Sequence, residues 1–161
     1  MTVTVTTSLV KQFKDTMDAL IKKNVYVGIP QENNRRKDSP VTNSALGYIN
    51  EFGSPAQNIP PRPFLEPGVE EAKPEIVKIL WQAVITTQTS AQDVDVELNK
   101  AGIKAVSTVK NRIRNSTDIE PLSPVTMHAR ATRKKNRRTG VMKPLIDTGQ
   151  MLNSITYVVK E

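Results

Sequence analysis

The sequence predicts an α+β fold in which a small β-sheet packs with a long helical hairpin, with extended loops or arms projecting from it. Three observations predict this. Two long stretches, about 67–86 and 90–115, carry apolar residues at helical spacing and are separated by a short polar turn. Two short alternating stretches, 25–29 and 155–159, lie far apart in the chain and read as strands that are natural partners. From Ser116 to Lys143 no period survives, and Pro121, Pro124 and a dense run of cations mark a long loop or arm. At 161 residues the chain fits a single domain, 1–161, with the basic arm at about 116–143.

Taken in order, Leu9, Phe13, Met17, Leu20 and Ile21 recur at helical spacing behind Thr7 and Ser8 as candidate N-caps, so roughly 8–23 should be an amphipathic helix. Val25-Tyr26-Val27-Gly28-Ile29 follows as a strand closed by Pro30, which cannot continue a central ladder. After a charged loop, Thr42 or Asn43 caps a short helix whose apolar face is Ala45, Leu46, Ile49 and Phe52, and Gly53 is suited to its left-handed end. Pro55, Pro60, Pro61 and Pro63 stiffen the next segment by fixing φ at each position. Phe64 and Leu65 are thereby presented at a set height before the first hairpin helix, which draws on Val69, Ile76, Val77, Leu80, Trp81 and Val84. Pro74 must lie in its first turns or kink it. The second hairpin helix uses Val94, Leu98, Ile103, Val106, Val109 and Ile113. Near the end, Asp147 with Gln150 three residues on reads as a capping box for a short helix before the terminal strand. Two strands do not make an independently stable sheet, so further strands must come from the loops or from a neighbouring subunit.

Composition narrows the functional classes. Hydrophobic residues make up 37% and aromatics 4% of the chain, a lean core for its length. Part of the apolar surface is then covered by neighbours, or else the chain is a small fold with long polar arms. There is no cysteine and a single histidine, His128, so neither a disulfide framework nor a zinc site is expected, and no cofactor is implied. No secretory signal and no apolar run of membrane-spanning length is present, which reads as a soluble cytosolic chain with no membrane partner. The net charge of +7 favours acidic partners. Arg130, Arg133, Lys134, Lys135, Arg137 and Arg138 crowd into one segment, while Arg35, Arg36 and Lys37 form a smaller cluster.

Several motifs invite a chemical reading. Leu145-Ile146-Asp147-Thr148-Gly149 matches the aspartic-protease signature, but only 12 residues follow Gly149 and cannot build the cradle of a carboxylate dyad. Asp147 is therefore read as a helix cap. Pro60-Pro61-Arg62-Pro63 has the PxxP spacing of a polyproline ligand, yet Phe52, Ile59, Phe64 and Leu65 bracket it with side chains that want burial. The cations at 130–138 could contact DNA phosphates or an acidic protein ring. No aromatic is interleaved between Ser116 and Lys143, which argues against a base-stacking platform. Glu70 with Glu71 and Asp93 with Asp95 lack convergent acid–base partners, and Gly28, Gly47 and Gly53 lack phosphate-loop spacing. No catalytic residue is assigned.

Tyr48-Ile49-Asn50-Glu51-Phe52-Gly53 running into Ile59-Pro60-Pro61-Arg62-Pro63-Phe64, followed at the far end by Pro144-Leu145-Ile146-Asp147-Thr148-Gly149, resembles the tail-completion or neck proteins of tailed bacteriophages, the virion-morphogenesis subunits that join head to tail. The strand 25–30 and the segment 45–53 fall in the same order. The stretch from Glu66 to Lys143 adds little, and the long basic insertion before Pro144 departs from the pattern. The resemblance implies a non-enzymatic α+β subunit forming a ring, commonly six-fold, in the virion neck after assembly in the bacterial cytoplasm. Its implied partners are its own copies, the adjacent head-completion or adaptor proteins and the tail-tube or tail-terminator proteins. The interface turns would be carried by Asn50, Glu51, Phe52 and Gly53, by Pro61, Arg62, Pro63 and Phe64, and by Asp147, Thr148 and Gly149. The other reading is a sequence-independent nucleic-acid-binding protein acting through the basic arm.

Overall fold

A computed structural model describes residues 7–36, 39–85, 91–115, 117–133 and 142–161. The fold is mostly helical, with one two-stranded antiparallel sheet packed against helices, which is the α+β class expected. Helix α1 (Thr7–Lys22) leads through Lys23 into strand β1 (Asn24–Gly28). Helix α2 (Asn43–Phe52) precedes the proline-rich turn, and α3 (Leu65–Ile85) and α4 (Ala91–Asn115) form the hairpin. Helices α5 (Pro124–Thr132) and α6 (Gln150–Ser154) precede strand β2 (Thr156–Lys160). The distant strands pair as expected, with Val25 opposite Val159 and Val27 opposite Tyr157.

The hairpin is the frame on which everything else rests, and small residues set its spacing. Ala72 and Ala83 of α3 and Ala101 and Ala105 of α4 are buried, joined by Val94, Leu98, Val109 and Ile113. Such side chains let two helices approach closely while their ridges still interlock. The expectation that Val77, Trp81 and Ile103 complete this core is corrected. Trp81 is 62% exposed, and Val77 and Ile103 are likewise on the outside. Pro74 lies within α3 and is exposed.

The sheet sits across α4. Tyr157 lies flat against Gly102, where a Cβ would stand 2.3 Å from the ring, so only glycine admits this approach. Its hydroxyl donates to Asn99 Oδ1 at 2.9 Å, and Lys23 at the α1–β1 junction pairs with Asp95 at 2.5 Å. At the other end of the hairpin Phe64, Val109, Ile113, Met151, Leu152 and Ile155 form the main apolar cluster. Leu46, Val69, Val106, Leu145 and Ile146 pack around it. Leu145 holds φ +62°, a left-handed conformation that costs a non-glycine residue about 1–2 kcal/mol and is offset here by its packing.

Most element bounds fall within a residue or two of expectation. The segment expected to be wholly irregular is corrected, because it contains α5. Ser123 Oγ accepts from the Thr126 amide at 3.2 Å and Pro124 occupies the first helical turn, so this helix has a good start even though it buries none of its side chains.

Candidate functional site

The residues singled out by the two end motifs converge on α2. At its N-terminus Thr42 is the cap, its Oγ1 accepting from the Ala45 amide at 3.2 Å. At its C-terminus Gly53 adopts φ +78° and ψ 179°, a region essentially restricted to glycine. A Cβ there would also lie 2.9 Å from the Ile59 carbonyl oxygen. The chain then closes the Ser54–Ile59 bridge and returns along α2, where the Arg62 amide donates to the Asn50 carbonyl at 2.6 Å.

This return brings the start of α3 over Glu51. The buried carboxylate accepts the Phe64 amide at 2.8 Å and the Leu65 amide at 2.9 Å through Oε2, and the Glu66 amide at 3.0 Å through Oε1. Three otherwise unpartnered amides at a helix N-terminus are thus satisfied by one anion, whose charge also complements the helix dipole. Glu51 is a helix cap supplied from a different helix. Phe64, 2% exposed, is fixed in the core by the same contacts.

Arg62 is the second tie. Its buried guanidinium donates from Nε to the Glu120 carbonyl and from Nη2 to the Pro121 carbonyl, both at 2.8 Å, clamping the end of the hairpin to the proline-rich turn. Pro61 and Pro63 on either side are exposed, so they hold the backbone extended rather than fill the core. The Pro-Pro-Arg-Pro run is therefore engaged within the fold through its arginine.

Asp147 is not a helix cap, contrary to the sequence expectation. Helix α6 begins at Gln150 and its cap is Gly149, at φ +79° with no side-chain capping bond. Asp147 stands outside the first turn and turns to α5 instead. Arg133 Nη1 donates to its two oxygens at 3.0 and 2.8 Å, and Arg130 Nε lies 3.9 Å away. Arg130 also donates to the carbonyls of Lys143 and Ile146 at 3.0 and 2.9 Å. Burial pushes the Arg130 guanidinium below the ordinary arginine range, against the pull of Asp147. Thr148 Oγ1 accepts from Gln150 Nε2 at 3.2 Å.

Two of the six cations assigned to an external partner are thus bound internally, while Lys134, Lys135, Arg137 and Arg138 lie outside the described residues. In the smaller cluster, Arg36 donates to Asn43 Oδ1 at 3.4 Å, and Lys37 also lies outside the described residues.

Two hollows flank α2. A cleft of about 760 Å³ brings Asn50, Arg62, Arg130, Asp147, Thr148 and Gly149 together, so both end motifs and the basic helix share one wall. On the other side, Tyr48, Phe52, Leu65 and Val69 line an apolar groove of about 450 Å³ with Glu51 at its floor. Phe52, expected to be buried, is 62% exposed and stacks obliquely with Tyr48 at 4.8 Å. Tyr48, which opens the first motif, is exposed, as are Val77 and Trp81, which the sequence pattern places on the apolar side of α3. A periodic apolar position gives no sign of whether its own chain or another covers it.

Among the described residues no group of three His, Cys, Asp or Glu side chains converges to hold a metal, and no helix is long and apolar enough to cross a membrane. Asp147 faces two arginines rather than the second carboxylate that a protease dyad requires. Comparison with protein-family models, curated proteins and solved structures found no match.

Proposed function

We propose that this chain is a structural subunit of the neck of a tailed bacteriophage, assembling with its own copies into a ring that completes the tail and joins it to the head. The observation that carries this reading is the outward placement of large apolar side chains on every long helix. Val10 and Phe13 on α1, Val77 and Trp81 on α3, and Val96 and Ile103 on α4 are all exposed, while alanines fill the hairpin core. On each of these helices the pair is spaced i,i+3, i,i+4 or i,i+7 and so shares one face, which is available for contact with other macromolecules.

The motif residues support the same reading from inside. Glu51, Gly53, Arg62 and Phe64 hold the turn between α2 and α3 rigid, which sets where Tyr48, Phe52, Pro61 and Pro63 project. A ring subunit needs stiff joints at its contacts, because a small angular error repeated around a ring prevents closure. Neither catalysis nor a cofactor enters this proposal, and the partners are its own copies and the adjoining head and tail proteins. Nucleic-acid binding through the basic arm is the weaker reading, since Arg130 and Arg133 are already engaged within the fold by Asp147. Native mass spectrometry of the purified full chain tests the proposal: a closed oligomer is expected, alone or with tails, and a monomer in both settings overturns it.

A further inference from the structure

The cleft of about 760 Å³ beside α2 carries hydrogen-bond donors that the fold does not use. Arg62 gives Nε and Nη2 to the carbonyls of Glu120 and Pro121, and Arg130 gives Nη1 to those of Lys143 and Ile146. Among the described residues Arg62 Nη1 and Arg130 Nη2 have no acceptor, and neither atom is sealed from solvent. Arg130 Nε stands 3.9 Å from Asp147, beyond hydrogen-bond distance, while Asp147 takes its two bonds from Arg133. Both Arg62 and Arg130 line the cleft.

The surroundings favour an anion. Arg36, Arg62 and Arg130 line the cleft against Asp147 and Glu120, and Arg133 already occupies Asp147. Burial first, and then the nearby Arg133 and Arg62, hold the Arg130 guanidinium below the ordinary arginine range against the pull of Asp147. A carboxylate bound between the two arginines relieves that like-charge crowding. Ser123, Pro124 and Thr126 also line the cleft, so the positive end of the nine-residue α5 borders it. The rest of the lining is apolar in part. Ile49, Ile59 and Leu122 are half-buried and Met151 is buried within the same cleft.

We infer that this cleft binds an extended acidic segment of a partner protein, one carboxylate bridging Arg62 and Arg130 while neighbouring apolar side chains rest on Ile49, Ile59 and Leu122. Guanidinium and carboxylate make short, charge-assisted hydrogen bonds, and the volume falls in the ~300–1,000 Å³ range of sites that enclose a ligand. A carboxylate suits the cleft better than a nucleic-acid phosphate. Arg62 is only 9% exposed, so a thin side chain reaches it where a duplex backbone does not, and no aromatic residue lines the cleft for a base to stack on.

This inference deepens the proposed function by giving the chemistry of an adjoining neck component, and it rests on that reading for the source of the segment alone. Full-length chain labelled at its arginine side-chain nitrogens is titrated with blocked hexapeptides alternating glutamate with leucine, valine or phenylalanine, and followed by NMR. At least one should move the Arg62 and Arg130 guanidinium signals and bind at least about tenfold more tightly than its glutamine counterpart. Arg130→Gln should abolish that difference, but it also removes anchors of α5. Gln57→Glu is therefore the second variant, a new carboxylate on the exposed rim where the side chain makes no bond among the described residues. It should weaken the glutamate peptide about threefold at low salt without changing the melting temperature. Glutamate and glutamine peptides that bind alike, signals that move away from Arg62 and Arg130, or no binding at millimolar peptide overturn the site. So does a Gln57→Glu chain that binds at the parent's strength, or a thymidine hexanucleotide that moves the same two signals more strongly. Native mass spectrometry separates the two readings: a closed ring from a chain that ignores the peptides removes the site and keeps the proposed function, whereas a peptide-binding chain that stays monomeric, alone and with tails, keeps the site and removes the ring.

Discussion

Replacing Glu51 should cost more than replacing any other acidic side chain described, because one carboxylate there satisfies three backbone amides. In Glu51→Ala the buried Phe64 amide loses its acceptor, at about 1–3 kcal/mol. The part-buried Leu65 and Glu66 amides, which water can partly reach, add about 1 kcal/mol between them. The expected loss is therefore about 3 kcal/mol, above the ~0.5–2 kcal/mol of an ordinary N-cap. For a chain of 161 residues that lowers the melting temperature by about 6–12 °C. Glu51→Gln keeps one acceptor oxygen but sets an NH₂ donor toward a helix start that offers only donors, and it forfeits the charge–dipole attraction. About 1–2 kcal/mol is expected for it. Glu75→Gln is the control, removing an exposed carboxylate from mid-α3 together with its ion pair to Lys78, and should leave the unfolding midpoint at the parent's value. Thermal and urea unfolding followed by circular dichroism, at fixed protein concentration, measures all three. A Glu51→Ala variant melting within a degree of the parent would refute the cross-helix cap, and equal losses in the Glu51→Gln and Glu75→Gln variants would show that only net charge matters.

Asp147→Asn and Asp147→Ala should destabilise equally, by about 1 kcal/mol, because the ion pairs to Arg133 and Arg130 are lost in both; unfolding in which Asn is spared would restore the capping role. Gly53→Ala should cost about 1–3 kcal/mol in urea unfolding, since its backbone conformation excludes a Cβ, and a neutral result would contradict the turn geometry. Arg62→Lys cannot donate along both guanidinium directions, and a loss of about 2 kcal/mol is expected from its two carbonyl contacts, measured the same way. The Val77→Glu/Trp81→Glu double variant should keep the parent's melting temperature within about 2 °C under dissociating conditions and yet fail to assemble by native mass spectrometry; normal assembly would remove this face from the interface.

The sequence made the long-range architecture legible where local chemistry and tertiary need coincide. The alternation at 25–29 and 155–159 gave the pairing of β1 with β2 within one residue, and Thr42 gave the start of α2. The hairpin was equally clear, but which side of it faces inward was not. Helical period marks apolar positions without saying whose surface covers them, and here Ala72, Ala83, Ala101 and Ala105 took the core while Trp81 was left outside. Helix α5 was missed for the complementary reason. It buries no apolar stripe, so periodicity is silent, although Ser123-Pro124 is a legible start and Arg130 and Arg133 anchor its end.

The two carboxylates of the motifs show most clearly where sequence reasoning stops. Asp147 stands three residues before Gln150 and has the spacing of a capping box, whereas Glu51 sits in the last turn of a helix, where an acid opposes the dipole and looks merely tolerated. The fold inverts both expectations. Gly53 and the prolines after it turn the chain back so that the unfavourable end of α2 meets the favourable start of α3, and Glu51 serves the second helix rather than its own. Asp147 is drawn off its helix by Arg133, which belongs to a segment that local reasoning treated as an unattached arm. Both contacts cross between elements, over 13 and 14 residues, and neither leaves a local trace beyond the turn residues that make them reachable. Those turn residues are the part of the site that could be read in advance. Their rigidity gives the exposed Tyr48 and Phe52 a fixed direction, which a surface must have before an identical copy can meet it in register.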